Sequence, residues 1–245
     1  HIDSDVTDYN AYWPAATVAE RDINDFLKKA GAQWTIRFTK EHCEESATKA
    51  AEKVQTYIGT GAQIIIGPDW SGMVTACKGL FDDNHVVCIG PVSSSPALAI
   101  PGDYIFRTYA DDTKQAIPIS KALYNDLGIK YMIIANSAES YGDGLADAVT
   151  NAFKGLGGEV VDRVRYDIQA KEFSAEAEYI KTKVVESVAK YGKDKVCIAL
   201  LSGPVPLQGL ITDMARHPEV FEVRWWGAEY AYHPAFKEET MTACA

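Results

Sequence analysis

Hydrophobic and polar residues recur with two different spacings along this chain. In residues 14–30 the apolar side chains recur at intervals of three and four residues, which places them on one stripe of an amphipathic helix. Short apolar runs such as QIIIG (63–67) and VVCIG (86–90) are typical of buried strands instead. Segments with the helical spacing alternate with short apolar runs through the chain, so the pattern predicts that helices and strands follow one another.

Strands that alternate with helices of about 10–18 residues predict right-handed βαβ units and a mostly parallel sheet covered by helices. The glycine-rich segment GLGG (155–158) marks the end of one of these helices. The pattern predicts helices over 14–30, 45–60, 71–81, 113–127, 142–153, 174–191 and 206–216, and strands over 33–39, 63–67, 86–90, 104–108, 131–135, 159–166, 195–200 and 220–226.

One stretch interrupts this regular alternation. YIFRTYADDTKQA (104–116) combines a short strand with a polar segment, and we place a domain boundary near residues 110–117. We therefore predict an α/β protein of two lobes, each with a mostly parallel sheet flanked by helices. The N-terminal lobe would span residues 1–114 and the C-terminal lobe residues 115–245.

Composition and charge remove several classes of protein. With 24 Lys plus Arg against 34 Asp plus Glu, the formal net charge is −10, which repels phosphate backbones, so nucleic acid is not an expected partner. The apolar runs have the length of strands and not the roughly 18–20 residues of a membrane-spanning helix. Because the chain begins with His1 and not Met, we expect any signal peptide to have been removed.

The five cysteines show no spacing typical of metal ligands, and no metal ion or cofactor is expected. An odd number cannot close completely into disulfides within the chain. Cys43 and Cys77 are a candidate bridge in an oxidising compartment. The alternative, that the cysteines are separate buried thiols, is equally open. The remaining three are Cys88, Cys197 and Cys244.

The loops that follow the predicted strands carry the candidate chemistry. In open parallel sheets, ligands bind outside the carboxyl ends of the strands. GPDWSG (67–72) and GPVSSSP (90–96) are rich in glycine and hydroxyl side chains, which together with backbone N–H groups at a helix start can receive a carboxylate. The alternative is that these serines are ordinary helix caps.

Motifs for catalysis are absent from the sequence. It contains no GxSxG elbow, no phosphate-binding GxxxxGK[ST], no HExxH and no GxGxxG after a strand. The five histidines are scattered, so neither Ser71 nor Cys88 has an evident general base. An α/β hydrolase that uses one of these two nucleophiles is kept only as an alternative.

Six segments of the chain are considered together, namely IIIGPDWSG, VVCIGPVSSSPALA, YIFRTYADD, ESYGDGLADAVTNAFKGLGGEVV, EFSAEAEYIK and WWGAEYAY. In their residues and order they resemble the type I periplasmic binding proteins, in particular the branched-chain amino-acid (Leu/Ile/Val) receptors of ABC transporters. The resemblance covers essentially the whole chain, and YGDGLA followed by GGEVV is its most specific part.

The resemblance implies a set of ligand-binding residues. Ser71, Ser94 and the backbone of Ser93 would hold the α-carboxylate of an amino acid. From the second lobe, Tyr141 would reach the ligand and Glu229 would bind its α-ammonium group. Neutral donors at one end and a carboxylate at the other are what a zwitterion requires.

The chain also departs from the family pattern. We expect the family's first strand to be absent, together with its C-terminal portion after Ala245. Trp70 stands where the family often has a small residue or Cys, so Trp70 and Trp13 are predicted to line an aromatic side-chain pocket. The alternative is that both tryptophans pack the lobe. Further aromatic candidates are Tyr9, Tyr12, Tyr230 and Tyr232.

The resemblance implies a monomeric receptor on the periplasmic or extracellular face of the membrane, with or without an anchor in the full-length protein. It would trap a small amino acid between two lobes by hinge closure and deliver it to the permease of an ABC transporter, without catalysis. A ligand sensor of the same fold, for amides or other small solutes, is the alternative function.

Overall fold

A computed structural model describes residues 2–3 and 6–229 of this chain, with the side chains from position 13 onward except Val205. The chain divides into two compact units. The first contains residues up to Ser94 together with Leu98–Ala110, and the second contains Ser95–Ala97 and the residues from Asp111 onward. No helix in the described ranges combines the length and apolar character that crossing a membrane requires.

The first unit is built on short parallel strands. One sheet has the order β3-β4-β5, and a separate pair joins β1 to β2, also in parallel. The strands are β1 (Ile2–Asp3), β2 (Glu41–His42), β3 (Ile64–Ile66), β4 (Val87–Gly90) and β5 (Ile105–Arg107), and the helices are α1 (Val6–Lys29), α2 (Ala47–Gly59) and α3 (Ser71–Asn84).

The second unit contains one four-stranded parallel sheet of order β7-β6-β8-β9. Its strands are β6 (Tyr131–Ser137), β7 (Glu159–Tyr166), β8 (Val196–Leu201) and β9 (Arg224–Gly227). Its helices are α4 (Thr113–Lys121), α5 (Ser140–Gly155), α6 (Ser174–Tyr191) and α7 (Pro204–Met214). The predicted α/β class, with parallel sheets flanked by helices, is confirmed.

Side chains of the second unit's sheet alternate between two cores. Along β8, Ile198 and Leu200 point to the core that α6 and α7 cover, whereas Cys197 and Ala199 point to the core that α4 and α5 cover. All four are buried, as expected for a central parallel strand with helices on both faces. Because helices cover both faces, the loops at the carboxyl ends of the strands lie at one end of the sheet and not on its faces.

The strand predicted over 33–39 is wrong, although every residue of that segment is described. The segment pairs with no strand of the described chain, and side chains of α1 bond to its backbone groups instead. Asn24 Nδ2 donates to the carbonyl oxygen of Ile36 (2.9 Å), and the Ile36 amide donates to Asn24 Oδ1 (2.8 Å). The Phe38 amide donates to Glu20 Oε2 at 2.6 Å.

Two predicted helices differ from the structure by more than three residues at one end. The first begins at Val6 and not at Pro14, so the proline lies inside α1 and leaves one carbonyl without its usual helical bond. Its apolar stripe is not uniformly buried, since 69% of Phe26 is exposed. The helix predicted over 113–127 is α-helical only to Lys121 and continues as a π-helical turn over Ala122–Asp126.

Candidate functional site

Two loops at the carboxyl edge of the first unit's sheet bring the predicted serines together. Ser71 is the first residue of α3, and its Oγ accepts a hydrogen bond from the backbone amide of Ser94 at 3.2 Å. Ser93 Oγ donates to the carbonyl oxygen of Asp69 at 2.6 Å. The loops after β3 and β4 are therefore joined to each other by their hydroxyl groups.

The serine loop after β4 is also held from the side of β5. Arg107, the last residue of β5, donates from Nη1 to the carbonyl oxygen of Ser93 at 3.2 Å. A Cβ on Gly90 would lie 3.2 Å from Ser93 Oγ, so the glycine lets this loop approach the strand closely. The three serines have only 1–3% of their surface exposed, and the site is a compact cluster.

This cluster has the chemistry of an anion receptor. It combines hydroxyl groups with the positive end of the α3 dipole, and Arg107 contributes a nearby cation. Hydroxyl and backbone donors at a helix start satisfy a carboxylate by hydrogen bonding.

The two tryptophans that were predicted to line a side-chain pocket occupy different places in the first unit. Trp70 is the N-cap residue of α3, is half-buried and packs against the core that contains Met73 and Cys77. Trp13 lies inside α1, where Lys40 Nζ is 4.6 Å from the centre of its ring. The side chains of the candidates Tyr9 and Tyr12 lie outside the described part of the structure.

In the second unit, Tyr141 is the second residue of α5, and only 7% of it is exposed. Glu139 caps this helix. Its carboxylate accepts from the backbone amides of Tyr141 and Gly142, each at 2.7 Å, and from Ser137 Oγ at 2.7 Å. Burial raises the pKa of Glu139, and the hydrogen bonds that it accepts offset part of that rise.

Asp143 connects the same helix turn to two strands. It accepts from Arg163 Nη2 at 2.7 Å, from Arg165 Nη2 at 2.6 Å and Nε at 2.7 Å, and from Asn136 Nδ2 at 3.1 Å. Burial alone would raise the pKa of Asp143, but the hydrogen bonds from Arg165 and Asn136 and the two arginine charges lower it. Asp143 is therefore ionised at neutral pH.

Glu229 follows β9 and is exposed, and the structure shows no hydrogen bond or ion pair for it among the described residues. Its predicted role as a ligand of the α-ammonium group stays a prediction, as do those of Ser71, Ser93, Ser94, Tyr141, Trp70 and Trp13. The aromatic candidates Tyr230 and Tyr232 lie outside the described residues.

The cysteines of the described chain are all buried and none of them forms a disulfide, so the candidate bridge between Cys43 and Cys77 is not formed. Burial and the neighbouring Cys43 raise the pKa of Cys77 to about 12. Burial also raises the pKa of Cys88, the nucleophile considered for a hydrolase, which disfavours its reactive thiolate. Across residues 2–3 and 6–229, no group of three acidic, His or Cys residues is arranged to hold a metal ion.

The acidic residues and arginines around α5 were missed in the sequence. Glu139 is the N-cap residue of α5, a position where Ser, Thr, Asp and Asn are the usual signals, so its role has no clear mark in the sequence. Asn136, Asp143, Arg163 and Arg165 are up to 29 residues apart in the sequence, and only the pairing of β6 with β7 brings them together.

Comparisons with known proteins give a consistent picture. A family model described as periplasmic binding protein matches residues 9–202. An uncharacterized protein of Methanocaldococcus jannaschii is 28% identical over 163 residues, which cover 64% of this chain and 39% of that protein. A Leu/Ile/Val-binding protein of Citrobacter freundii is 24% identical over 205 residues, which cover 82% of this chain and 52% of the relative. The chain thus spans about half or less of the length of these relatives.

Solved structures give the same fold. A leucine binding protein from Thermotoga maritima superimposes with a TM-score of 0.76 at 21% identity, covering 100% of this chain and 65% of that chain.

Proposed function

The chain belongs to the periplasmic binding protein family, and on that premise we propose that it is the ligand-binding part of an extracytoplasmic receptor for a small amino acid. The receptor captures the amino acid between two lobes, 1–114 and 115–245, by hinge closure and delivers it to the permease of an ABC transporter. Ligand binding shifts the population from open to closed because the ligand contacts are complete only when the lobes are shut. No bond is made or broken.

The observation that carries this proposal is the serine cluster of the first unit. Ser71 and Ser94 are joined by a hydrogen bond at the start of α3, and Ser93 is fixed by Asp69 and Arg107. We assign the α-carboxylate to this cluster, because these bonds already hold the two loops at the start of α3 in place, and a preorganised site binds its ligand without a large ordering cost. Trp70 and Trp13 are proposed to line the side-chain pocket.

Two residues of the second unit complete the proposed site. Tyr141 is held at the start of α5 by the Glu139 cap. Glu229 is the proposed partner of the α-ammonium group, and its exposure in the structure leaves its carboxylate available to a ligand. The names of the relatives favour a branched aliphatic amino acid as the ligand.

Isothermal titration of the full-length protein with a panel of L-amino acids and simple amides tests the proposal. We expect micromolar or tighter binding of one amino acid, and no reaction product of that amino acid in the calorimeter cell after the titration. Binding of an amide alone favours the sensor function instead. If the full-length protein binds none of these compounds, the proposal is wrong.

Variants with matched controls test which residues bind the α-carboxylate and the α-ammonium group of the ligand. Ser71→Ala should weaken binding at least tenfold, whereas Ser174→Ala, which also changes the first residue of a helix, should not. Glu229→Gln should cost about 2–5 kcal/mol, or thirtyfold or more in Kd, because it leaves an ammonium group unpaired. Glu222→Gln changes an exposed acid in the same unit and serves as its control.

A further inference from the structure

We infer that Asp143 is a positioning residue for ligand binding, which acts by fixing the first turn of α5 and so the place of Tyr141. The inference rests on the proposed function for its binding consequence. Its structural part concerns only the second unit, where Asp143, Arg163, Arg165 and Asn136 form one network.

The network ties the helix start to two neighbouring strands. Arg163 and Arg165 are two residues apart on β7, so their side chains leave the same face of the sheet. Asn136 comes from β6, is fully buried and donates to the same Asp143 oxygen that both arginines contact. Arg163 Nε in turn donates to Asn136 Oδ1 at 2.7 Å, which closes the ring of contacts.

The geometry of Asp143 is specific for a carboxylate. Arg165 binds both of its oxygens, through Nε and Nη2, in the paired arrangement that gives direction as well as strength. An asparagine at this position would keep the shape but lose the charge, and its amide nitrogen would face an arginine donor. The carboxylate is therefore needed for the network and not only for filling space.

The turn that Asp143 fixes is the one that presents Tyr141. Tyr141 is two residues before Asp143, and its backbone amide is bound by Glu139. Glu139 holds the turn from its N-terminal side and Asp143 holds it from the side of β7. Loss of the second attachment should leave the helix formed but let its first turn move relative to the strand ends.

Asp147 offers a matched control one helical turn later. It also pairs with Arg163, but its side chain is 67% exposed, and in the described structure it forms no hydrogen bond or ion pair with Arg165 or Asn136. Asp143→Asn and Asp147→Asn thus make the same chemical change on the same helix face. Only the first should affect Tyr141.

Hydrogen exchange of the full-length protein tests the structural step without any ligand. Amides of residues 140–143 should exchange at least tenfold faster in Asp143→Asn than in the wild type, and Asp147→Asn should leave them unchanged. Equal exchange in the wild type and Asp143→Asn overturns the inference.

Titration with L-leucine tests the binding step. Asp143→Asn should raise Kd about tenfold, and Asp147→Asn less than twofold. In a Tyr141→Phe background the Asp143→Asn change should have little further effect, because both substitutions act on the same contact. Fully additive effects would indicate general damage and overturn the positioning role. If the wild type binds no amino acid, the proposed function fails, and hydrogen exchange still decides whether Asp143 holds the turn.

Discussion

Substitution of Gly142 by alanine should disturb the start of α5 more than any other change of one methyl group in that helix. Gly142 is the third residue of α5 and packs against the end of β6. A Cβ at this position would lie 2.3 Å from both the carbonyl oxygen and Oγ of Ser137, and 2.9 Å from its backbone nitrogen. Two of these atoms belong to the backbone of a buried strand and cannot rotate away.

Two opposing effects set the size of the change. Alanine is favoured over glycine inside a helix by about 1 kcal/mol. Overpacking of a well-packed site costs about 1–3 kcal/mol, and a shift of the turn also weakens the 2.7 Å bond from the Gly142 amide to Glu139, worth about 1–3 kcal/mol. We expect Gly142→Ala to lower the free energy of unfolding by about 2–3 kcal/mol.

Urea unfolding followed by circular dichroism measures this difference. Gly155→Ala is the control, because Gly155 ends the same helix and an ideal Cβ there has no atom within 4 Å. Gly155→Ala should be as stable as the wild type or more stable by up to about 1 kcal/mol. If Gly142→Ala proves as stable as Gly155→Ala, the close contact with Ser137 does not limit the site and the reasoning is refuted.

Three further predictions concern other parts of the described chain. The lowered pKa of Asp143 means that its stabilising effect is present above about pH 4 and is lost as the pH falls through that pKa. The difference in unfolding free energy between the wild type and Asp143→Asn should therefore shrink in acid. A constant difference from pH 7 to pH 3 contradicts this. Burial raises the pKa of both Cys77 and Cys197 to about 12. Peptide mapping after treatment with iodoacetamide at pH 8 should therefore find both thiols unmodified in the folded protein and labelled in urea. Rapid labelling of the folded protein would disagree with their burial. Asn24→Ala should lower the unfolding free energy by about 1–2 kcal/mol, because both bonds to Ile36 are lost, whereas exposed Asn84→Ala should cost less in the same urea titration.

The sequence pattern was most successful where one segment carries its own signals. The limits predicted for α6 and β7 match the structure at both ends, since Gly158 and Gly192 mark the boundaries next to clear helix and strand periods. The carboxyl-end serine loops were also placed correctly, because they follow directly after apolar strands. These features depend on neighbours within a few residues.

Failures occur where distant side chains decide the structure. The alternation at 33–39 favours a strand, but Asn24 and Glu20 bind its backbone amides, and no strand among residues 2–3 and 6–229 pairs with it. The exposure of Phe26 likewise depends on what α1 packs against and not on the spacing of its own residues. The Asp143 network requires the β6–β7 register, which no local pattern contains.

The position of β7 at the margin of its sheet has a consequence for self-association. Within the described residues β7 pairs only with β6, so its outer backbone groups could accept a strand from another molecule. Charged side chains recur along this strand at Asp162, Arg163 and Arg165, and like-charged copies that meet edge to edge would have to bury them. Replacing both arginines by apolar residues would therefore remove this charge from the outer strand as well as the partners of Asp143, and such a protein should form concentration-dependent aggregates.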